Sequence, residues 1–144
     1  MSPTPVDAPR FEALEVGMSA SLTRHFTRAD IEAFARLAPD HAPVHMDPGF
    51  AREMGYADVL VHGWLAGAPF SGLLGNSLPG PGTVLHWTRI NMVGPVFPDD
   101  LIEYRCSVRQ LSATTRAVVL DLEAVRVATG AVVVRGQAQC GFRQ

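Results

Sequence analysis

From Thr83 onward, apolar residues recur at every second position. TVLHWTRINMV, LIEYRCSVRQL, RAVVLDLEAVRV and AVVVRGQAQCGF are each long, rich in β-branched residues and separated by Gly, Pro, Asp or Thr-Thr turns, which is the pattern of successive strands. In the second of them Ile102, Tyr104, Cys106 and Val108 share one face, and Glu103, Arg105, Ser107 and Arg109 share the other. The alternation predicts an antiparallel sheet with one wet face, its four strands in hairpin succession.

The first half of the chain follows other periods. Ser21 to Thr27 alternates weakly and is read as a further strand. Thr27 with Asp30 three positions on resembles a capping box that opens a short helix, IEAFARLA, ending by Pro39. Asp47 before Pro48 is an N-cap followed by proline at the first helical position, and Gly55 stands where a helix terminator belongs. Residues 62 to 74, HGWLAGAPFSGLL, carry no Asp, Glu, Lys or Arg and are apolar nearly all round, so they predict a long buried helix kinked or broken at Pro69. GNSLPGPG then marks a turn. Each strand's apolar face needs a cover and the long helix supplies one. The predicted fold is therefore α+β, a curved antiparallel sheet wrapped around a central helix, which is the hot-dog architecture.

A chain of 144 residues suffices for one domain with a real core. Residues 1 to 10, with their prolines, are read as a flexible arm, and residues 11 to 144 as a single domain. Twelve basic against fourteen acidic side chains give a net charge of −2 without any block of like charge, so nucleic acid is not an expected partner. MSPTPVDAPR has prolines and charges where a signal peptide has an apolar run, and no stretch reaches membrane-spanning length. A cytoplasmic protein that binds no membrane is expected. Cys106 and Cys140, without C-x-x-C spacing, are read as buried reduced thiols.

The candidate chemistry gathers in APDHAPVHMDP, Ala38 to Pro48. His41 and His45 are four apart, a spacing that on a helix would put two metal ligands on one face. Pro43 between them is read as excluding that helix, and no metal site is expected. Instead, an extended turn at Ala42-Pro43 can bring Asp40 and His45 to one side, where a carboxylate and an imidazole can hold one water and move its proton. Loop Asp and His residues also serve as caps and backbone partners, and that reading stands beside the catalytic one. Val61-His62-Gly63 opens the long helix. The backbone N–H of Gly63 there is unobstructed at a positive helix end, a site that stabilises an anion such as the enolate of a thioester.

Together these residues resemble the R-specific enoyl-CoA hydratases of the MaoC-like dehydratase family, over about Phe11 to Phe142. The family's D-x-N-P-x-H motif is similar to Asp40-His41-Ala42-Pro43-Val44-His45. VHG recurs at Val61 to Gly63, FSGLLG at Phe70 to Gly75, and the family's Pro-Val and Gly-Asp pairs resemble Pro95-Val96 and Asp99-Asp100. The resemblance implies hydration of a trans-2-enoyl thioester, or dehydration of its (R)-3-hydroxyacyl form, with no metal or other cofactor. It also implies that Asp40 and His45 grip the water, that Gly63 N–H holds the thioester oxygen and that Ser71 supports the pair. It further implies a homodimer joined through sheet edges, and an acyl thioester of CoA or of an acyl carrier protein as substrate. Two positions depart from the pattern. Ala42 stands where the family has Asn, removing an amide that would help orient the site, and Asp99 replaces a Gly, which is read as altering a turn.

Trp64, directly after the oxyanion glycine, is read either as core or as a wall that shortens an acyl tunnel. His25 and His86 are read as surface or satisfied histidines, and His62 as packing or capping its helix. Arg89, Arg105 and Arg109 are read as solvated, or as partners of carrier phosphates. Thioester hydrolysis on the same fold, non-catalytic thioester binding and a specialised-pathway dehydratase remain as rival functions.

Overall fold

The computed structural model describes residues 10–143; the expected N-terminal arm, but for Arg10, lies outside them. A 3-10 turn at Phe11–Ala13 leads into β1 (Ser19–Arg24), α1 (Arg28–Leu37), α2 (Pro43–Met46), α3 (Pro48–Glu53), α4 (Gly63–Gly67) and α5 (Pro69–Asn76). Four long strands follow: β2 (Thr83–Met92), β3 (Ile102–Ser112), β4 (Ala117–Arg126) and β5 (Val132–Phe142). All strand pairs are antiparallel, in the order β1-β3-β4-β5-β2. This is the expected hot-dog arrangement.

The positions of β3 and β4 follow their alternation, whereas β2 is exposed along nearly its whole length. Ile102, Tyr104, Cys106 and Val108 are all buried, as are Leu120 and Leu122 of β4 and Ala138 and Cys140 of β5. They close over Phe70, Leu73 and Leu74 of α5 in one core. Tyr104 fastens the helix to the sheet, its ring edge-on to Phe70 at 5.1 Å and its buried hydroxyl donating to Ala66 C=O at 2.6 Å. Cys106 and Cys140 are buried free thiols, and burial pushes both up to about 11.

Two boundary expectations hold on their caps. Thr27 Oγ1 accepts from Asp30 N–H and the Asp30 carboxylate accepts from Thr27 N–H, a complete capping box. Asp47 caps α3 through Gly49 and Phe50 N–H, with Pro48 at the first position. The cap at Thr27 also explains why β1 ends at Arg24 rather than running to Thr27: the residue that closes the helix mouth must leave the ladder first.

Three expectations are corrected. The long strands are not all in hairpin succession, because β2 pairs with β5 and not with β3. The segment from Val93 to Leu101 carries Pro95 and Pro98, is too long for a tight hairpin, and crosses to the far side of the sheet. Closure of β2 on β5 depends on Gly136, where a Cβ would meet Arg89 O at 2.0 Å. The long helix breaks at Pro69 as expected, into α4 and α5, with Ala68 between them still in helical conformation (φ −59, ψ −36), but it is not buried all round. Trp64, Ala68, Ser71 and Gly75 form an exposed face, since the sheet covers the opposite side alone. Pro43, finally, does not keep its segment from being helical: it occupies the first position of the single turn α2, where its missing N–H costs nothing.

The segment from β2 to β3 is held in place by polar contacts. Val61 N–H donates to Val96 C=O at 2.8 Å and Asp99 N–H to Phe26 C=O at 2.8 Å. Arg126 bonds Asp100 and the Pro95 carbonyl. Asp99 has φ +66, a turn conformation that glycine adopts freely and Asp tolerates better than most residues. Its departure from the family pattern therefore sits in a turn, as expected.

Candidate active site

The bend after α1 is built by the backbone of Ala42. Its N–H donates to Asp40 Oδ1 at 3.1 Å, and its carbonyl accepts His45 N–H at 2.9 Å. With Pro43 setting the first helical φ, one turn carries His45 back toward Asp40. Leu60 N–H donates to Val44 C=O at 3.0 Å, and Leu60 C=O in turn accepts from His45 Nδ1 at 2.8 Å. A carbonyl can only accept, so the proton of His45 lies on Nδ1 and the lone pair on Nε2. That lone pair stands 4.0 Å from Asp40 Oδ2, with the His45 side chain 14 % exposed and that of Asp40 45 %. The gap is too long for a hydrogen bond. A water about 2.8 Å from each atom would bridge it with an angle near 90° at its oxygen. The sequence expectation that Asp40 and His45 come to one side is met, although through a helical turn rather than an extended one.

Beside His45 opens a cavity of about 330 Å³ whose wall includes Gly63, Tyr56, Leu60, Met92 and Val96. Gly63 is the first residue of α4, one of the positions whose N–H has no acceptor within the helix. A Cβ there would meet Met92 at 3.5 Å, an ordinary contact. One cavity thus has on its wall an imidazole with a free lone pair and the opening amide of a helix. Its other lining is mostly apolar, as an acyl group would require.

The other named residues divide clearly. Ala42 and Pro43 shape the bend through the backbone. Ser71 lies on the exposed face of α5 and, among the described residues, makes no hydrogen bond to Asp40 or His45. Trp64 is 79 % exposed and is not part of this cavity's wall; the core reading does not hold, because position 64 falls on the uncovered face of α4. His41 and His25 are exposed. His86 Nδ1 meets the Gln139 amide at 3.0 Å. Arg105 pairs with Glu103, and Arg109 with Asp121 at 3.2 Å, so both belong to the wet face of the sheet. Arg89 is exposed on β2.

The residue that sequence reasoning undervalued is His62. It packs, as expected, but caps nothing. Its ring lies against that of His45 at 4.0 Å and 25°, and its Nε2–H donates to the Asp40 carbonyl at 3.1 Å. Asp40, His45 and His62 bring one donor atom each within 4.8 Å of one another. The two imidazole planes are within 25° of parallel, whereas a metal about 2.1 Å from each nitrogen needs their lone pairs to converge. Nothing in the VHG sequence could reveal the stack, which depends on α2 folding over α4.

Comparison with known proteins bears on the family and the fold. The sequence model of the MaoC like domain matches residues 11–129. An (R)-specific enoyl-CoA hydratase from Aeromonas caviae is 36% identical over 129 residues, 88% of this chain and 94% of that protein. A 3-hydroxybutyryl-CoA dehydratase from Methylorubrum extorquens is 33% identical over 101 residues, 70% of this chain and 64% of that protein. Among solved structures, an (R)-hydratase from A. caviae involved in PHA biosynthesis superposes with a TM-score of 0.87 at 34% identity, covering 92% of this chain and 99% of that one.

Proposed function

Because the chain belongs to the MaoC-like domain family, we infer that it is a hydro-lyase, interconverting trans-2-enoyl and (R)-3-hydroxyacyl thioesters. The observation that carries the reading is the 4.0 Å between His45 Nε2 and Asp40 Oδ2, next to a cavity that His45 and Gly63 share.

The mechanism follows from that geometry. A water held between the two side chains donates to both. Imidazole is the side chain whose protonation changes nearest neutral pH, so His45 Nε2 takes the proton as the water oxygen adds to C3. Asp40 orients the water and balances the imidazolium. The electron pair displaced from the double bond moves onto the thioester oxygen, and the Gly63 amide, at the positive end of α4, stabilises it. His45 then returns its proton to C2. Water adds across the bond, the thioester stays intact, and neither a metal nor a redox cofactor takes part. Without an Asn side chain at position 42, Asp40 is oriented through the Ala42 N–H.

The same proposal includes a homodimer and a cytoplasmic location. β2 is an edge strand exposing Val84, Leu85, Trp87 and Met92, a row of apolar side chains and unpaired backbone groups that a second copy would cover.

The test is a panel of trans-2-enoyl thioesters of graded chain length, on CoA and on carrier protein, followed by ultraviolet loss of the conjugated bond. The expected product is an (R)-3-hydroxyacyl thioester with no free thiol. Release of thiol would mark a thioesterase instead, and binding without turnover would mark a carrier.

A further inference from the structure

His62 is a buried polar side chain of the core, 1 % exposed, and its Nδ1 has no hydrogen-bond partner among the described residues. An unpaired ring nitrogen in an apolar site is a cost that phenylalanine or leucine at the same place would avoid. Packing alone therefore does not account for a histidine. What an imidazole adds is visible on both neighbours: the donor to the Asp40 carbonyl and the ring laid on His45.

We propose that His62 is the positioning residue of the acid–base pair, its Nε2–H fixing the main chain that carries Asp40 and its ring fixing the plane in which the His45 lone pair points. The proposal rests on reading Asp40 and His45 as that pair. A single hydrogen bond from His45 Nδ1 to Leu60 C=O does not by itself keep the ring from rotating about Cβ–Cγ and breaking that bond. The face of His62, itself backed by Phe34 at 4.9 Å, removes that freedom. His62 directly precedes Gly63, so the same residue sets the acid–base pair in register with the amide that receives the thioester oxygen. Burial holds the His62 pKa below its ordinary value. The ring lies face on to His45 and can lend its π face to an imidazolium there. Asp40, His45 and His41 are the titratable groups around it.

Three variants separate the contributions. His62→Phe keeps a stacked ring and loses the donor, His62→Gln keeps a donor and loses the ring, and His62→Leu loses both. Removing the donor strands the Asp40 carbonyl but also removes the orphaned Nδ1, two opposing effects, so Tm is expected to stay within a few degrees. The expected result is a fall in kcat of about 10-fold for the Phe and Gln variants and about 10²-fold for Leu, with KM changed less than about twofold. Ring ¹⁵N spectra should give one His45 tautomer, protonated on Nδ1, in the parent and a mixture of tautomers in the Leu variant. Parental kcat in all three folded variants, or one unchanged His45 tautomer throughout, overturns the proposal. So does a kcat that falls only in step with Tm. The ¹⁵N spectra need no turnover, so they decide the positioning role even if Asp40→Asn and His45→Ala leave activity intact and the catalytic reading itself fails.

Discussion

His45 Nε2 faces Asp40 Oδ2 across 4.0 Å, too far for a hydrogen bond and the right span for one bridging water. Everything around the pair serves that gap. The Leu60 carbonyl sets the tautomer, the Ala42 amide holds the carboxylate, and Pro43 starts the turn that brings the two side chains together.

Gly63→Ala tests the oxyanion site without disturbing the fold. The added Cβ would meet Met92 at ordinary contact distance, so Tm should change little. The methyl nevertheless intrudes beside the amide, and kcat for enoyl-CoA hydration should fall about 10- to 10²-fold. A folded variant with parental kcat would remove Gly63 from the mechanism.

Stability should depend on pH through His62. Its folded pKa lies below the ordinary 6.5 because burial disfavours the charged ring, so the unfolded chain binds the proton first. The contribution is complete above about pH 6.5 and is lost as pH falls toward the folded value. Glu12, Asp30 and Asp58, held low by Arg116, by the Thr27 backbone N–H and by Arg28 respectively, act in a lower window, below their ordinary values of 4.5 and 3.8. Tm measured between pH 7 and pH 5 should therefore drop more for the parent than for His62→Phe. Superimposable curves would show that the histidine is not buried as a neutral ring.

The strand alternation, the capping box at Thr27 and the Asp47-Pro48 helix start were legible in the sequence because each depends on neighbours a few positions apart. The pairing of β2 with β5 was not, since the period of a strand says which face is apolar and nothing about which strand lies beside it. HGWLAGAPFSGLL concealed the exposed position of Trp64 for a similar reason: a helix apolar on all sides gives no sign of which side the sheet leaves open. At the site, Asp40, His45 and Gly63 could be named from local chemistry. Leu60 acts through a backbone carbonyl and carries no side-chain signal, and His62 is brought to the pair only by the tertiary fold.

Tyr104→Phe should measure the bond that ties α4 to the sheet. Loss of the 2.6 Å buried hydrogen bond to Ala66 C=O is expected to cost about 1 to 2 kcal/mol, seen as a lower urea midpoint at unchanged m-value. An unaltered midpoint would mean that the carbonyl finds another donor.

The exposed edge strand predicts a concentration-dependent dimer. Val84 and Leu85 are neighbours in β2 and point to opposite faces of the sheet, so Val84→Lys with Leu85→Lys places like charges on both sides of a two-fold edge. Sedimentation equilibrium should give twice the monomer mass for the parent and the monomer for the double variant. A monomeric parent would refute the edge-to-edge assembly.

The most direct test of the shared water is a double-mutant cycle on Asp40→Asn and His45→Gln, assayed by hydration of a short trans-2-enoyl-CoA. Each single variant should remain folded and lose about 10²- to 10⁴-fold in kcat. If both side chains act on one water, the double variant should be no slower than the worse single one. Losses that multiply, or single variants that turn over at the parental rate, would contradict the account.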